Sequence, residues 1–462
     1  MPLSDTNPDR PLWQKVVPNA VQDRVRQSPI LQKIIVNIGW LSVERIFTLV
    51  VRFFVGVWVV RHLGPEKFGV YSYALSFAMV FSAIATLGLE KVVIRDLSQA
   101  EETSAVDEIL TSALLLRLGG GGATFALLAA IIFSTEDSAL VQWAVLLVST
   151  RLILYAPEVF DYWFQARIES KYPVYVRSAG LLLGSGAQVA CILLNLPVLA
   201  FLAALVLSHL TIAVGLWLVF RSVRDQPFVF QSPRMQTVRS MLSRSWPLVV
   251  SGLSTLVYLK IDLIMIGRIV GNAEAGIYAA AAKLSEIWYF LPVAITASVY
   301  PEIIRAFEED TRHAYLNKMQ RLYDLLAGLS LMIVVPVWMF ASPLVLLLFG
   351  ADYTESATVL RIHVWSLIFM SIGSAQTKRM LAEKMYRSVM AVSVAGAVVN
   401  VGLNLFLIPW YQSTGAAWAT FISYFVYGYG ILALIPETRV AFLQTTRSFV
   451  SPITRLYEWV TR

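Results

Sequence analysis

The stretch TLVVRFFVGVWVVRHLGPEKFGVY, Thr48–Tyr71, joins an apolar run to a compact turn signal. From Thr48 to Val60 the run is apolar but for Arg52. A permanent cation in such a run needs water, protein or an anion beside it, because a lysine or arginine at bilayer depth costs roughly 2.5–3.5 kcal/mol. The run belongs to a longer apolar segment, and segments of this kind recur along the whole chain. Of the 462 residues, 57% are hydrophobic and 15% charged, against roughly 25% charged in soluble domains. About twenty apolar residues suffice to cross a bilayer. Twelve crossings are predicted, near 35–62, 68–89, 108–133, 139–165, 174–195, 197–220, 246–267, 275–300, 322–347, 356–377, 388–409 and 414–435. The predicted fold is an all-α polytopic membrane protein.

Residues 1–34 are polar, with Pro8, Pro11 and Pro18, and show no apolar core of a cleavable signal. The first crossing is the expected targeting signal. Residues 437–462 are too polar to cross, and are expected either as an interfacial helix or as a loose tail. Cys191 is alone, so no internal disulfide is available.

Basic residues set the orientation. Twenty-seven of the thirty-seven fall in one alternating set of segments, from Arg10 and Lys15 to Arg455 and Arg462, whereas the intervening loops hold Arg61, Lys67 and Arg268. Basic loops stay cytoplasmic. Both termini are therefore expected in the cytoplasm, with the chain in the cell (inner or plasma) membrane.

The turn signal recurs. Arg61-His-Leu-Gly64-Pro-Glu-Lys-Phe-Gly69-Val70-Tyr71 matches Arg268-Ile-Val-Gly271-Asn-Ala-Glu-Ala-Gly276-Ile277-Tyr278 at an ungapped offset of 207. Each copy links the first two crossings of its own set of six, so the chain reads as two parallel repeats. The expected organisation is an N-terminal segment 1–34, an N-lobe 35–221, a linker 222–243, a C-lobe 244–436 and a C-terminal segment 437–462. Transporters built from parallel repeats place substrate between them. A central cavity is expected, lined by the first, second, seventh and eighth crossings. A long flexible linker, carrying Pro227 and Pro233, would suit a rocking motion. The motif itself reads as a turn and helix cap.

Seven cations remain inside the crossings: Arg45, Arg52, Arg117, Arg151, Lys260, Lys283 and Arg361. Facing lipid, they would cost on the order of 20 kcal/mol together. Arg45 and Arg52 lie two turns apart on one helix face. Arg151, Tyr155, Glu158, Asp161 or Tyr162, and Gln165 form a polar stripe at helical spacing, interrupted by Pro157. The acids at this depth are Glu44, Glu158, Asp161, Asp262 and Glu286. Glu44–Arg45, Lys260–Asp262 and Lys283–Glu286 are candidate structural pairs, although neighbours one or two residues apart do not face each other on a helix. The excess of cations favours an anionic cargo, and arginine's planar fork suits a diphosphate. The acids either tune these cations or take up a proton or sodium ion for coupling. His209 reads as a helix–helix hydrogen-bonding residue.

Four segments, HLGPEKFGVYSYALSFAMVFSAIATLGLEKVVIRDLS, DYWFQARIESKY, KIDLIMIGRIVGNAEAGIYAAAAKLSEIWYFLPVAITASVYPEI and LLFGADYTESATVLRI, resemble Wzx-type polysaccharide flippases of the multidrug/oligosaccharidyl-lipid/polysaccharide exporter superfamily. The resemblance covers roughly residues 35–435. It implies a MATE-like pair of six-helix lobes around a central cavity. The implied substrate is a polyprenyl-diphosphate-linked glycan, moved from the cytoplasmic to the outer leaflet. It also implies cavity cations that hold the diphosphate, a role fitting Arg52, Arg151 and Lys260. Membrane lipids and other polysaccharide-assembly proteins are expected partners, with H+, Na+ or the membrane potential for coupling. No cofactor, metal site or nucleic-acid partner is expected. The chain has no G-x-x-x-x-G-K-[ST] phosphate loop, and it is expected not to be an enzyme. A multidrug exporter would need an acidic, aromatic cavity to take organic cations. A glycan polymerase or ligase would need a catalytic surface, whereas the outer loops at 134–139 and 350–356 are short. A non-transporting scramblase leaves the duplication unexplained.

Overall fold

A computed structural model describes the backbone of residues 28–460, with side chains for Ser28 and residues 31–449. The basic residues Arg10, Lys15, Arg24, Arg26 and Arg462, most of the 1–34 segment, and the side chains of Val450, Ile453 and Arg455 lie outside that range.

Ten helical stretches among the described residues are long and apolar enough to cross a membrane. Two of them are each a pair of helices joined end to end. Pro29–Thr86 is broken at Gly64 (φ 69°, ψ 170°) and Tyr386–Gly428 at Gln412 (φ 50°, ψ −131°). Pro65 follows the first break and Pro409 precedes the second, where a proline removes a ladder hydrogen bond and crowds the preceding turn. Twelve apolar helical segments result. Their boundaries are chemically marked: Ser28 caps the first helix with Pro29 behind it, its Oγ accepting from the Leu31 N–H at 3.4 Å. Thr311 caps the Arg312–Met339 helix in the same way.

The two turn motifs do more than turn the chain. Gly64 and Gly271, equivalent at the 207-residue offset, both hold positive φ (69° and 133°), a region that disfavours a Cβ. The second glycines of each motif meet the opposite copy. A Cβ on Gly69 would overlap the Asn272 carbonyl, and one on Gly276 would overlap the Pro65 carbonyl. Pro65 and Asn272 are themselves equivalent at the same offset. The duplicated motif therefore packs on its own copy with local two-fold reciprocity. The glycines are what let two backbones approach so closely.

By contact the chain forms two units. One comprises residues up to Gly56, Ile84–Thr135 and Leu146–Val249; the other comprises Val57–Ala83, Glu136–Val145 and Val250 onward. These units differ from the expected lobes. The motif packing carries residues 57–83 into the second unit, and an Arg268–Glu136 ion pair at 3.4 Å lies within the same unit as residues 136–145.

The linker is not the loose connection expected of it. Arg224 pairs with Asp107 at 2.5 Å, with both side chains almost fully buried. The Val229 N–H donates to the same carboxylate at 3.2 Å, and Thr237 Oγ1 donates to Glu108 at 2.7 Å. Phe228 meets Trp217 edge-on and Phe230 meets it at a tilt, and Phe228 also meets Phe160 and Phe220. A loop whose N–H groups and aromatic rings are both taken up by its own unit is a strap rather than a hinge.

The C-terminal segment is likewise docked. In the Arg439–Val460 helix, Gln444, Thr445 and Ser448 are buried. Arg379 Nη1 donates to Gln444 Oε1 at 2.9 Å, Gln376 Nε2 to Thr445 at 3.1 Å, and Gln444 Nε2 to the Leu316 carbonyl at 2.7 Å. The polar residues that made this segment too hydrophilic to cross are the ones that fasten it to neighbouring helices, so its described part is neither a loose tail nor held by lipid alone.

Candidate functional site

The polar stripe follows a broken helix in the first unit: Arg151–Leu154, a tight turn at Ala156–Glu158, then Val159–Ala166. Pro157 sits in the break and turns Glu158 toward a neighbour. Arg117, 1% exposed, donates to Glu158 Oε2 at 3.0 Å and to the Tyr162 hydroxyl. Asp161 receives Arg177 at 3.1 Å and Gln165 at 3.2 Å. These are cations closed by carboxylates.

Arg151 is arranged differently. Its Nη2 donates to the Tyr155 hydroxyl at 3.1 Å and to His209 Nε2 at 3.0 Å, and no carboxylate among the described residues pairs with it. Its Nε–H is buried without a hydrogen-bond partner. Arg45 and Arg52 are exposed on the first helix, beside a half-buried Glu44.

In the second unit the local pairs considered from sequence are not formed. Lys260 reaches across to Glu286, with Nζ to Oε2 at 2.8 Å and to Oε1 at 3.2 Å. Asp262 and Lys283 are thereby left without those neighbours. Residues at i and i+2 project to different sides of a helix, so Lys260 and Asp262 diverge. No ion pair or hydrogen bond among the described residues engages Lys283, which is partly buried. Arg361 donates to Ser342 at 2.9 Å.

Asp262 lies in a buried polar nest. Its Oδ2 accepts from the Tyr278 hydroxyl at 2.9 Å and from Thr420 Oγ1 at 2.6 Å, and its Oδ1 accepts from Asn404 Nδ2. Asn404 in turn contacts Asn400 Oδ1 at 3.3 Å. Asp262 is 3% exposed, Asn400 and Asn404 are fully buried, and no lysine or arginine among the described residues pairs with the carboxylate. Asn404 Oδ1 and Asn400 Nδ2 have no hydrogen-bond partner. A buried carboxylate without a cation costs several kcal/mol, and three neutral donors recover part of that. A proton or a small hard cation would recover more, since oxygen ligands suit such ions. Sequence reading found Asp262 but missed Asn400, Asn404, Tyr278 and Thr420. The available signal was Asn400-x-x-x-Asn404, two amides one helical turn apart in an apolar crossing.

The comparisons agree with this architecture. Residues 34–307 match the family model described as polysaccharide biosynthesis protein, and residues 234–456 match that of the lipid II flippase MurJ. A relative from Haloferax volcanii, described as a probable low-salt glycan biosynthesis flippase, Agl15, is 22% identical over 411 residues, covering 84% of this chain and 80% of its own. Among solved structures, an inward-facing multidrug resistance MATE family transporter of the MOP superfamily superposes at TM-score 0.67 and 15% identity, covering 90% of this chain and 98% of its own. The lipid II flippase MurJ, in an inward closed conformation, superposes at 0.64 and 14% identity, covering 89% and 92%. These two likenesses show the fold, an all-α polytopic membrane protein of the kind found in the MOP superfamily. With the match running over more than half of the residues, the chain belongs to the polysaccharide biosynthesis protein family.

Proposed function

We propose that this protein is a flippase for polyprenyl-diphosphate-linked oligosaccharides, moving them from the cytoplasmic to the outer leaflet of the cell membrane with both termini in the cytoplasm. The observation that carries the reading is Arg151: a guanidinium within an apolar helix, bonded to neutral groups, with a buried N–H left over. An arginine so placed keeps its full charge for an incoming anion, and a diphosphate supplies adjacent oxygens matched to its fork. Arg52, in the same unit, supplies further positive charge. Arg117 and Lys260, closed by Glu158 and Glu286, act as structural pairs and exchange partners only if the cargo outcompetes the carboxylate.

The coupling ion, a proton or Na+, binds at Asp262. Support comes from the carboxylate's lack of a cation and the orphaned amide atoms beside it. Loading neutralises the nest and changes which helix packing is cheapest, the differential interaction any ion-driven shift needs.

The test is reconstitution. Proteoliposomes holding the protein and a polyprenyl-diphosphate-linked oligosaccharide are assayed for glycan reaching an impermeant lectin, with an imposed H+ or Na+ gradient. Gradient-dependent exposure supports the reading. Movement of a cationic dye without glycolipid transfer would replace it with a multidrug exporter.

A further inference from the structure

His209 is the neighbour that decides what Arg151 can do. It lies in the Val198–Val223 helix and reaches Arg151 across a helix boundary. Its Nδ1 lies 2.9 Å from the Leu205 carbonyl, which only accepts, so Nδ1 carries the proton. Its Nε2 lies 3.0 Å from Arg151 Nη2, which only donates, so Nε2 presents its lone pair. Both bonds are satisfied by one neutral tautomer. A doubly protonated ring would aim an N–H at the guanidinium.

The choice of partner matters because the same unit shows the alternative repeatedly. Arg117, Arg177 and Arg224 each meet a carboxylate, at 3.0, 3.1 and 2.5 Å. A carboxylate at position 209 would hold Arg151 in place equally well and cancel its charge. A neutral acceptor holds it and leaves the charge intact. The Tyr155 ring adds to this, with its centroid 5.9 Å from the guanidinium carbon and 5.6 Å from the His209 ring centroid. It is an electron-rich face with no net charge. Arg151 Nε–H, buried and without a partner, remains as a donor for a ligand oxygen.

We infer that His209 is a positioning residue of the anion site: a tautomer-locked neutral acceptor that orients Arg151 toward a diphosphate without neutralising it. The inference rests on the flippase reading above. It concerns this chain's own geometry and assigns His209 no direct contact with the cargo.

The test is a double-mutant cycle on the purified full-length protein in detergent, with farnesyl diphosphate as the probe and titration calorimetry as the readout. Thermal unfolding accompanies each variant. Wild type is expected to bind the probe. H209Q, which keeps an acceptor, is expected to stay within about threefold of wild type, whereas H209L loses about tenfold, the worth of one charged-group hydrogen bond. H209E is expected to lose at least as much as H209L, by cancelling the charge. On an R151A background, H209L is expected to cause no further loss, since the histidine acts only through the arginine. H209N, whose shorter amide falls short of Arg151, replaces H209L if the latter does not fold. Unchanged binding in H209L, undiminished binding in H209E, or an equal loss with and without Arg151 would each overturn the assignment while leaving the anion site standing. Failure of wild type to bind any diphosphate would bring down the anion site itself, and His209's role with it.

Discussion

Arg151 in the first unit and Asp262 in the second are opposites of one design. Each is a charge on a predicted crossing, and each is surrounded by neutral hydrogen-bonding side chains: Tyr155 and His209 around the cation, Tyr278, Thr420 and Asn404 around the anion. Each leaves buried polar atoms unsatisfied beside it. In the same two units, Arg117 and Lys260 are closed by Glu158 and Glu286. The difference separates two uses of a charge in an apolar protein. A paired charge is a fastener whose partner is permanent. A charge held by neutral groups keeps its field, and in the function proposed above a partner that comes and goes answers it, anionic for Arg151 and cationic for Asp262.

The largest expected effect on transfer breaks the anionic side of this comparison. Asp262→Asn keeps the shape of the nest and removes its charge. Initial rates of gradient-driven glycolipid transfer are expected to fall about a hundredfold, roughly 2.7 kcal/mol at 25 °C, with dependence on the coupling ion lost. Transfer that remains driven by the same gradient would assign coupling elsewhere.

Next comes a contrast between arginines. Arg117→Ala removes the buried half of the pair and leaves Glu158, itself about a third exposed, without its cation; it is expected to cost about 2–3 kcal/mol of stability, mostly from the emptied space and lost hydrogen bonds, read as a lower unfolding temperature with transfer per folded molecule nearly intact. Arg151→Ala is expected to do the reverse, with unfolding little changed and transfer reduced about tenfold. Equal stability losses in both would erase the distinction between fastener and binding charge.

The smallest expected effect sharpens the comparison between the two repeats. Gly69→Ala and Gly276→Ala each place a Cβ against the other motif's carbonyl. Each is expected to destabilise by about 1–3 kcal/mol, as overpacking does, and the two losses should be similar because the contact is reciprocal. A loss confined to one glycine, measured by thermal unfolding, would show that the reciprocity is only geometric.

How much of this was legible follows from particular residues. The run around Arg52 announces a membrane helix because length and apolarity alone decide insertion. The R-x-x-G-x-x-x-x-G-[VI]-Y repeat announces duplication, and its glycines hinted at a turn; that they face each other did not follow from spacing. His209 was readable as a helix-to-helix hydrogen bonder, but its partner was not. Lys283 and Glu286 share a helical face, yet Glu286 went to Lys260, because a cross-helix partner at 2.8 Å gives better geometry than a neighbour along the same helix. The linker's prolines and charges read as flexible. Asp107 and an aromatic cluster, each distant in sequence, make it a strap.

By itself, then, the amino-acid order determined the membrane solvent, twelve apolar segments, their duplication and the positions where charge enters the crossings. These depend on composition within one helix length, and no other part of the chain has to be placed first. Only the tertiary structure decided which charges cancel, which stay available, and that the two turn motifs clasp. Those outcomes depend on side chains tens to hundreds of residues apart arriving within about 3 Å, the reach of a hydrogen bond.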